Sequence, residues 1–296
     1  MRMRVLCVHA HFDDYEFVAA GTFEMWRRKH GPGFRSKVIV CTDGRSGHHE
    51  RTRPDTARIR LAEQEASARR GGFEFQLLRK PDGRPFEEAC RILTNDLLAA
   101  LWQAIREFEP DYLFCPPMPF DPLAGVHPDH ITVADAVRRV AYMINVPHAF
   151  LTEYPVADET RSKPVQTPVI LNTYDGYMAG ENVFDLVVDV DPAFDLVAET
   201  SWCHQSQIRE WLPWVGRHDL APPGSLDEWK ISLRKRFDRQ QRELGLPAGG
   251  ACEAFAVTAW GVVPTLAKLR EDLPNLVPDP DRDQRLANRL RRWGSG

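Results

Sequence analysis

The chain of 296 residues lacks the features that mark several large classes of protein. It has no apolar run near the ~18–20 residues that a membrane-spanning helix needs. The apolar stretch after its basic start is the short segment Val5–Val8, whereas the core of a secretory signal needs ~7–15 residues. A formal net charge of −4 gives no general attraction to nucleic acid or to anionic membranes. We therefore expect no nucleic-acid partner, no membrane partner and no signal peptide.

Cysteine is scarce and forms no recognisable motif. None of the six cysteines belongs to a C-x-x-C pair, the spacing typical of zinc ribbons and redox sites. Cys7, Cys41 and Cys115 lie in predicted core strands, where cysteine behaves as a small buried hydrophobic residue. This usage indicates a reducing compartment, and we expect a cytoplasmic protein.

What is present is the composition of a globular protein. Hydrophobic residues make up 43% of the chain and charged residues 27%, so wholesale disorder is not expected. A chain of this length buries one large core or two modest ones. We find no internal repeat and no low-complexity tract. The sequence leaves the oligomeric state open, and a homo-oligomer is possible.

The first half of the chain alternates strand-like and helix-like segments. Strands are predicted at 5–10, 37–42, 73–78 and 112–115, and helices at 17–29, 56–70, 86–108 and 129–143. This order predicts an α/β fold with a doubly wound, mostly parallel sheet that helices cover on both faces. In the strand order 3-2-1-4, strands 1 and 4 are neighbours, and a ligand-binding crevice opens at their carboxyl ends.

The second half is less regular. It predicts strands at 169–173, 186–190 and 255–259, and helices at 192–211, 226–244 and 285–293. We assign residues 1–150 to the core of the fold, which contains two polar clusters at 10–14 and 127–130. Residues 151–262 supply the strands, helices and lid region that complete the same domain, with 151–168 as the connector or lid. A smaller mixed C-terminal region ends in a tail at 263–296.

Two dense polar clusters follow predicted strands 1 and 4. The first reads A-H-F-D-D at residues 10–14, and the second reads H-P-D-H at residues 127–130. Each combines imidazole with carboxylate, the ligand set of a zinc-like divalent ion with an open coordination position. Because both clusters follow neighbouring strands, we expect them to meet at one crevice. The sequence therefore predicts a single metal site that the two clusters share.

The spacing within each cluster suggests which residues bind the metal and which face the bound water or the substrate. Residues three apart, such as His11 and Asp14, can face the same side of a strand-to-helix turn, which leaves Asp13 free to lie beside a bound water. His127 and His130 have the same spacing, so one can ligate while the other faces the substrate, with the intervening aspartate orienting a ring. For the first cluster taken alone, a satisfied loop histidine and a helix-capping aspartate are an alternative explanation. For the second, the alternative is a capped helix start that faces the surface.

The first cluster and the residues after it, A-H-F-D-D-Y-E-F-x-x-x-G-T, resemble the A-H-P-D-D signature of the LmbE/PIG-L family of zinc-dependent N-deacetylases. H-P-D-H and the T-D-G-R-S-G segment at 42–47 are similar to later landmarks of that family. Further similar blocks extend the resemblance from residue 4 to about residue 256. The resemblance implies a Rossmann-like fold and hydrolytic removal of an acetyl group from an amino sugar or a related N-acyl compound.

The resemblance also implies a role for each motif residue. By motif position the metal ligands are His11, Asp14 and His130. The ion would be Zn²⁺, with Fe²⁺ as the alternative. Such an ion polarises an amide carbonyl and lowers the pKa of its bound water towards ~7. Asp13 would be the general base, and a protonated His127, held by Asp129, would stabilise the oxyanion.

The chain departs from the family pattern in places that bear on the substrate. Phe12 stands where the family usually has proline, and the loop at 121–126 lacks the tyrosine that many members carry just before H-P-D-H. Two residues are candidates for substrate binding. Arg45 lies in the G-R-S-G turn, and Asp82 in K-P-D-G matches a position where related enzymes grip sugar hydroxyls. Both turns are explained equally well as solvated surface.

We therefore expect a metal-dependent N-deacetylase of a small N-acetylated substrate, with an N-acetylglucosamine derivative or conjugate as the first choice. One alternative is a metallohydrolase that cuts another amide or ester, such as an acyl group on an antibiotic or a glycoconjugate. The other alternative is a catalytically silent ligand-binding protein. The competent residue types at all the motif positions argue against the silent protein.

Overall fold

A computed structural model describes residues 2–89, 94–154, 163–178, 182–216 and 221–294 of the chain. The strands in this part are β1 (Met3–His9), β2 (Phe34–Val40), β3 (Glu74–Leu77), β4 (Tyr112–Cys115), β5 (Val169–Thr173), β6 (Leu186–Asp189) and β7 (Cys252–Val257). They form one sheet in the order β3-β2-β1-β4-β5-β7-β6. The strands from β3 to β5 pair in parallel, and β7 runs antiparallel to both of its neighbours. The predicted 3-2-1-4 order is therefore confirmed.

Helices cover both faces of this sheet. They are α1 (Asp14–Val18), α2 (Ala20–His30), α3 (Arg53–Gly71), α4 (Asn95–Phe108), α5 (Pro128–Met143), α6 (Phe194–Trp202), a π-helical turn (Ser206–Trp211), α7 (Leu212–Val215), α8 (Leu226–Glu243), α9 (Leu266–Asp272) and α10 (Pro280–Gly294). Alternation along β1 divides the core, because successive side chains of a strand point to opposite faces. Val5 and Cys7 join one hydrophobic cluster, and Leu6 and Val8 join the other. The predicted fold class is confirmed.

Local signals explain where α3 begins and ends. The hydroxyl of Thr52 accepts a hydrogen bond from the backbone N–H of Asp55 at 3.3 Å, and Pro54 lies in the first turn. After the last turn the chain enters the left-handed conformation at Gly72, with φ of 67°, which ends many helices. The helix thus starts and stops at residues that the sequence marks.

The helix predicted at 86–108 is wrong at its start, because α4 begins only at Asn95. Residues 86–89 are not helical, and residues 90–93 lie outside the described part of the chain. The backbone N–H of Ala89 donates to the Asp129 carboxylate at 2.8 Å. That donor therefore serves a carboxylate at the carboxyl edge of the sheet instead of a helical hydrogen bond.

The C-terminal segment packs on the same core as the rest of the chain. Leu269, Leu286 and Leu290, from α9 and α10, belong to the hydrophobic cluster that covers one face of the sheet. Residues 155–162 of the connector or lid predicted at 151–168 lie outside the described residues. Cys90 also lies outside them. Among the described residues, no helix combines the length and the apolar character needed to cross a membrane.

Candidate active site

The two polar motifs meet at the carboxyl edge of the sheet. The first lies between β1 and α1, and the second follows β4 and begins α5. The order of the sheet places β1 beside β4, which brings the two loops together although more than a hundred residues separate them. His11 and His130 are both buried, with 6% and 4% of their surface exposed. The predicted meeting of the motifs at one crevice is therefore what the structure shows.

Three potential ligand atoms form a nearly equilateral triangle, which we call the metal-ligand cluster: Nδ1 of His11, Oδ2 of Asp14 and Nε2 of His130. The His11–Asp14 and His11–His130 atom pairs are 3.3 Å apart, and the His130–Asp14 pair is 3.5 Å apart. Ligands held ~2.0–2.1 Å from a tetrahedral ion lie about 3.3 Å from one another. The three residues therefore fit one divalent ion without rearrangement.

Each histidine of the metal-ligand cluster has a carboxylate on its other ring nitrogen. Nε2 of His11 lies 3.1 Å from Asp129, and Nδ1 of His130 lies 2.8 Å from Asp175. A proton shared with the carboxylate leaves the opposite nitrogen with a lone pair that faces the triangle. Such carboxylate partners orient metal-binding imidazoles and raise their basicity. Asp175 was not identified from the sequence, although it follows the carboxyl end of β5, the strand next to β4.

Asp14 is ionised and firmly held. Its Oδ2 accepts hydrogen bonds from Nδ1 of His9 at 2.6 Å and from the backbone N–H of His11 at 2.7 Å. Burial by itself raises the pKa of Asp14, but His9, His130 and His11 together lower that pKa well below its usual value. His9, the last residue of β1, is buried and orients this carboxylate.

His127 differs from the sequence-based expectation in two ways. The Asp129 carboxylate does not hold its ring, because that carboxylate contacts His11 instead. Nδ1 of His127 accepts the backbone N–H of Asp129 at 3.2 Å, so the neutral ring carries its proton on Nε2. Burial, with His11 and His130 nearby, lowers the pKa of His127 to about 4. The expected protonated form is therefore corrected to a neutral hydrogen-bond donor.

Asp13 lies beside the metal-ligand cluster in a strained backbone conformation. Its φ is 88°, in a region that favours glycine, and such a conformation costs ~1–3 kcal/mol. Its Oδ1 lies 3.3 Å from Arg60. Burial raises the pKa of Asp13 to about 6, and Arg60 opposes that shift. A carboxylate with this pKa can both take and return a proton near neutral pH.

Arg60 links this loop to its surroundings. It is 3% exposed, and besides Asp13 it donates to the carbonyls of Phe12 at 2.9 Å and Gly44 at 3.1 Å. It also lies 3.3 Å from Glu88. These partners lie in the loops that follow β1, β2 and β3. Arg60 therefore positions the backbone that carries Asp13.

The metal-ligand cluster opens into a cavity of about 280 Å³. The second half of the chain supplies its other side, with Tyr177 after β5, Trp211 from the π-helical turn, and Arg236 and Arg239 from α8. The ring of Tyr177 lies 5.2 Å from that of His127, measured between centroids. A tyrosine thus stands beside the motif histidines although the loop at 121–126 carries none.

Three residues singled out in the sequence lie away from this cavity. Phe12 is buried and packs on Phe75, with ring centroids 6.1 Å apart. Arg45 donates to Asp43 from Nε at 2.6 Å, and Asp82 forms an exposed pair with a neighbouring arginine. None of the three lines the cavity. The substrate-binding roles suggested for Arg45 and Asp82 stay predictions.

Comparison with known proteins agrees with the motifs. Residues 6–141 match the model of the PIG-L family, described as GlcNAc-PI de-N-acetylase. No curated protein matches the chain. Among solved structures, N,N'-diacetylchitobiose deacetylase from Pyrococcus horikoshii is similar with a TM-score of 0.62 and 20% identity over 86% of this chain and 83% of that one.

Two further structures share the fold. The A40926 pseudoaglycone deacetylase Dbv21 is similar with a TM-score of 0.57 and 15% identity, over 88% of this chain and 100% of that one. GalB, the 4-carboxy-2-hydroxymuconate hydratase from Pseudomonas putida KT2440, has the same TM-score and identity over 86% and 95%. At these identities the likeness establishes the fold, whereas the family match covers both motifs. Residues 6–141, which carry the metal-ligand cluster, therefore match the PIG-L (LmbE-like) family.

Proposed function

We propose that the protein is a metal-dependent N-deacetylase that hydrolyses the acetamide group of a small N-acetylated compound. The observation that carries this proposal is the triangle of ligand atoms from His11, Asp14 and His130, with a further carboxylate and a neutral imidazole beside it. A hydratase shares the fold with deacetylases, and a fold by itself does not determine a reaction. The chemistry of the site therefore supports the proposal more than the architecture does.

Zn²⁺ is our first choice for the ion, with Fe²⁺ as the alternative. Two imidazoles and one carboxylate with open positions suit both ions. When bound, the ion supplies Lewis acidity, which polarises the amide carbonyl and acidifies an attacking water. The carboxylates of Asp129 and Asp175 hold the two imidazoles in the ligating tautomers.

Asp13 acts as the general base and acid in this proposal. It accepts a proton from the attacking water and delivers it to the nitrogen of the leaving amine. Its position beside the metal-ligand cluster and its raised pKa support both steps. Arg60 keeps the carboxylate in place through contacts with Asp13 and with the carbonyl of Phe12.

His127 stabilises the negative charge that develops on the carbonyl oxygen. The hydrogen bond from the Asp129 backbone to Nδ1 leaves Nε2–H as the donor. One donor of this kind is typically worth ~2.7–4 kcal/mol in the transition state. The family description favours an N-acetylglucosamine derivative as substrate, and hydrolysis of another amide or ester is the alternative.

Acetate release tests the proposal. The protein, loaded with Zn²⁺ or anaerobically with Fe²⁺, is given a panel of N-acetylated sugars, sugar conjugates, longer N-acyl analogues and acetate esters. We expect acetate from at least one acetamide, and Asp13→Asn should keep the metal while its rate falls by ~10²–10⁴-fold. Asp281→Asn, which changes an exposed carboxylate of α10 outside the cavity, is the matched control.

Two results would contradict the proposal. One is a metal-loaded wild-type protein that releases no acetate from any acetamide of the panel. The other is an Asp13→Asn variant as active as the wild type. Faster cleavage of the longer N-acyl analogues or of the esters would favour the alternative hydrolase.

A further inference from the structure

Two arginines of α8 face the catalytic cavity. Arg236 and Arg239 are among the residues that line it, together with the metal-ligand cluster. They are three residues apart on a helix, so their side chains project from the same face about one turn apart. The cavity therefore has a positively charged wall opposite the motif loops, which we call the arginine wall.

Neither side chain has a direct protein partner, although Asp13 of the same cavity attracts Arg236 from a longer distance. In the part of the chain that the structure describes, Arg236 and Arg239 form no ion pair and no side-chain hydrogen bond. Of the other cations of this helix, Arg234 pairs with Asp191 and Lys230 with Asp195, whereas Lys235 and Arg242 are also unpaired among the described residues but lie outside the cavity. Arg236 and Arg239 are thus the unpaired cations of α8 that line the cavity.

Arg236 is half-buried and Arg239 is exposed, so the surroundings disfavour an uncompensated charge chiefly at Arg236. Burial lowers the pKa of Arg236, and the neighbouring charge of Arg239 lowers it further. The Arg236 guanidinium packs over the ring of Phe17, with its carbon 4.4 Å from the ring centroid. That contact orients the group but neutralises no charge. A confined cation without a partner costs free energy that a bound anion recovers.

The positive charge of Arg236 lies near the metal-ligand cluster. Phe17 lies three residues after Asp14 on α1, and side chains at this spacing have Cβ atoms ~5–6 Å apart. The guanidinium on Phe17 is therefore a short distance from the metal-ligand cluster, within the same cavity. An anion bound there and an acetamide at the cluster would be close enough to be parts of one small molecule.

We propose that the substrate carries an anionic oxygen group, a carboxylate or a phosphate, that binds the arginine wall while its acetamide lies at the metal-ligand cluster. The planar guanidinium of arginine matches the geometry of both groups and can bind them through two hydrogen bonds. This inference rests on the proposed deacetylase function and narrows its substrate to N-acetylated acids or phosphates. Neutral N-acetylated sugars are poor substrates.

Binding of amino sugars tests the arginine wall without turnover. Glucosamine, glucosamine 6-phosphate and muramic acid are titrated calorimetrically into the metal-loaded protein. We expect the phosphate or the carboxylate compound to bind about ten- to a hundredfold more tightly than glucosamine, and the favoured compound identifies which anion the wall accepts. The double variant Arg236→Gln/Arg239→Gln should lose this preference.

The control is Lys235→Gln/Arg242→Gln, which removes the same charge from exposed positions of α8 outside the cavity. It should keep the preference, and a thermal melt of each variant checks that it is folded. The proposal is overturned if the wild type binds none of the anionic compounds more tightly than glucosamine. A preference that persists in Arg236→Gln/Arg239→Gln also overturns it.

Turnover distinguishes this inference from the deacetylase proposal. The substrates are N-acetylglucosamine, its 6-phosphate and N-acetylmuramic acid, and we expect kcat/KM about tenfold or more higher for one of the anionic pair. Equal turnover of all three would reject the anionic substrate and leave the deacetylase intact. A binding preference for anions without acetate release from any acetamide would reject the deacetylase and leave the anion site.

Discussion

The two sides of the cavity differ in how their charges are satisfied. On the motif side, each charged or ring group of the metal-ligand cluster has a protein partner within hydrogen-bonding distance, such as Asp129 for His11 and Asp175 for His130. On the side formed by α8, Arg236 and Arg239 have none among the described residues. Groups that hold an ion or move a proton need fixed positions. Groups that recognise a ligand need no protein partner, because the bound ligand supplies the opposite charge.

The largest expected effect comes from breaking the motif side at a ligand. His130→Ala removes one atom of the triangle, so metal affinity should be lost and kcat/KM should fall by about 10³-fold or more, since a metal contributes several kcal/mol to such reactions. Metal analysis after gel filtration, together with acetate release, measures both. If metal content stays at the wild-type level, His130 is not a ligand.

A comparison of Arg60 with Arg236 measures how differently the two sides of the cavity contribute to stability. Arg60→Gln leaves Asp13 and Glu88 without their buried partner, so the free energy of unfolding should fall by ~3–5 kcal/mol. Arg236→Gln removes only the contact with Phe17 and should cost ~1 kcal/mol or less. Urea denaturation of both variants compares them. Equal losses would mean that the arginine wall is part of the structural framework.

His127→Ala separates catalysis from metal binding within one motif. The variant should keep its metal and lose ~10²–10³-fold in kcat, because one oxyanion donor is removed. His127 also caps α5 through Nδ1, so the free energy of unfolding should fall by ~1 kcal/mol. Metal content, kcat and a urea titration are measured on the same preparation. Metal loss as large as in His130→Ala would show that His127 is a ligand.

The smallest effect is expected at Asp175, which contacts the proposed ligand His130 and not the ion itself. Asp175→Asn keeps the shape of the side chain but weakens its hold on Nδ1 of His130. Partners of this kind typically contribute 10–100-fold in metal affinity, so competition with a chelator should reveal a loss in about that range. Asp135→Asn, which changes a carboxylate of α5 outside the cavity, should match the wild type. An unchanged affinity in Asp175→Asn would remove Asp175 from the site.

Much of the architecture could be predicted because it depends on local patterns. Alternating strands and helices predicted the sheet order, and the polar residues after β1 and β4 predicted the crevice. The start of α4 could not be predicted, because the backbone of Ala89 is used by Asp129, which lies 40 residues away in the sequence. The helix predicted at 192–211 is divided into α6 and a π-helical turn.

Site residues that directly follow neighbouring strands could be predicted from the sequence, and the other site residues could not. The rule that polar residues after neighbouring strands converge also identifies Asp175, once β5 is known to lie beside β4. Arg236 has no such signal. It is one of many arginines on a polar helix, and only the packing of α8 against Phe17 brings it to the cavity. The carboxylate partners of His11 and His130 could likewise not be predicted, because these contacts join residues that lie far apart in the sequence.

The backbone at Asp13 has a practical consequence. The side chain makes no capping hydrogen bond to α1, and φ of 88° suits glycine better than aspartate. Asp13→Gly relieves this backbone strain, whereas Arg60 loses one of its two carboxylate partners. Because the two effects oppose each other, the free energy of unfolding in a urea titration should change by no more than about 1 kcal/mol, while all three metal ligands remain. An inactive protein that still binds its substrate can be used to capture that substrate from a mixture of metabolites. The residue that strains the loop thus offers a way to identify the compound on which the protein acts.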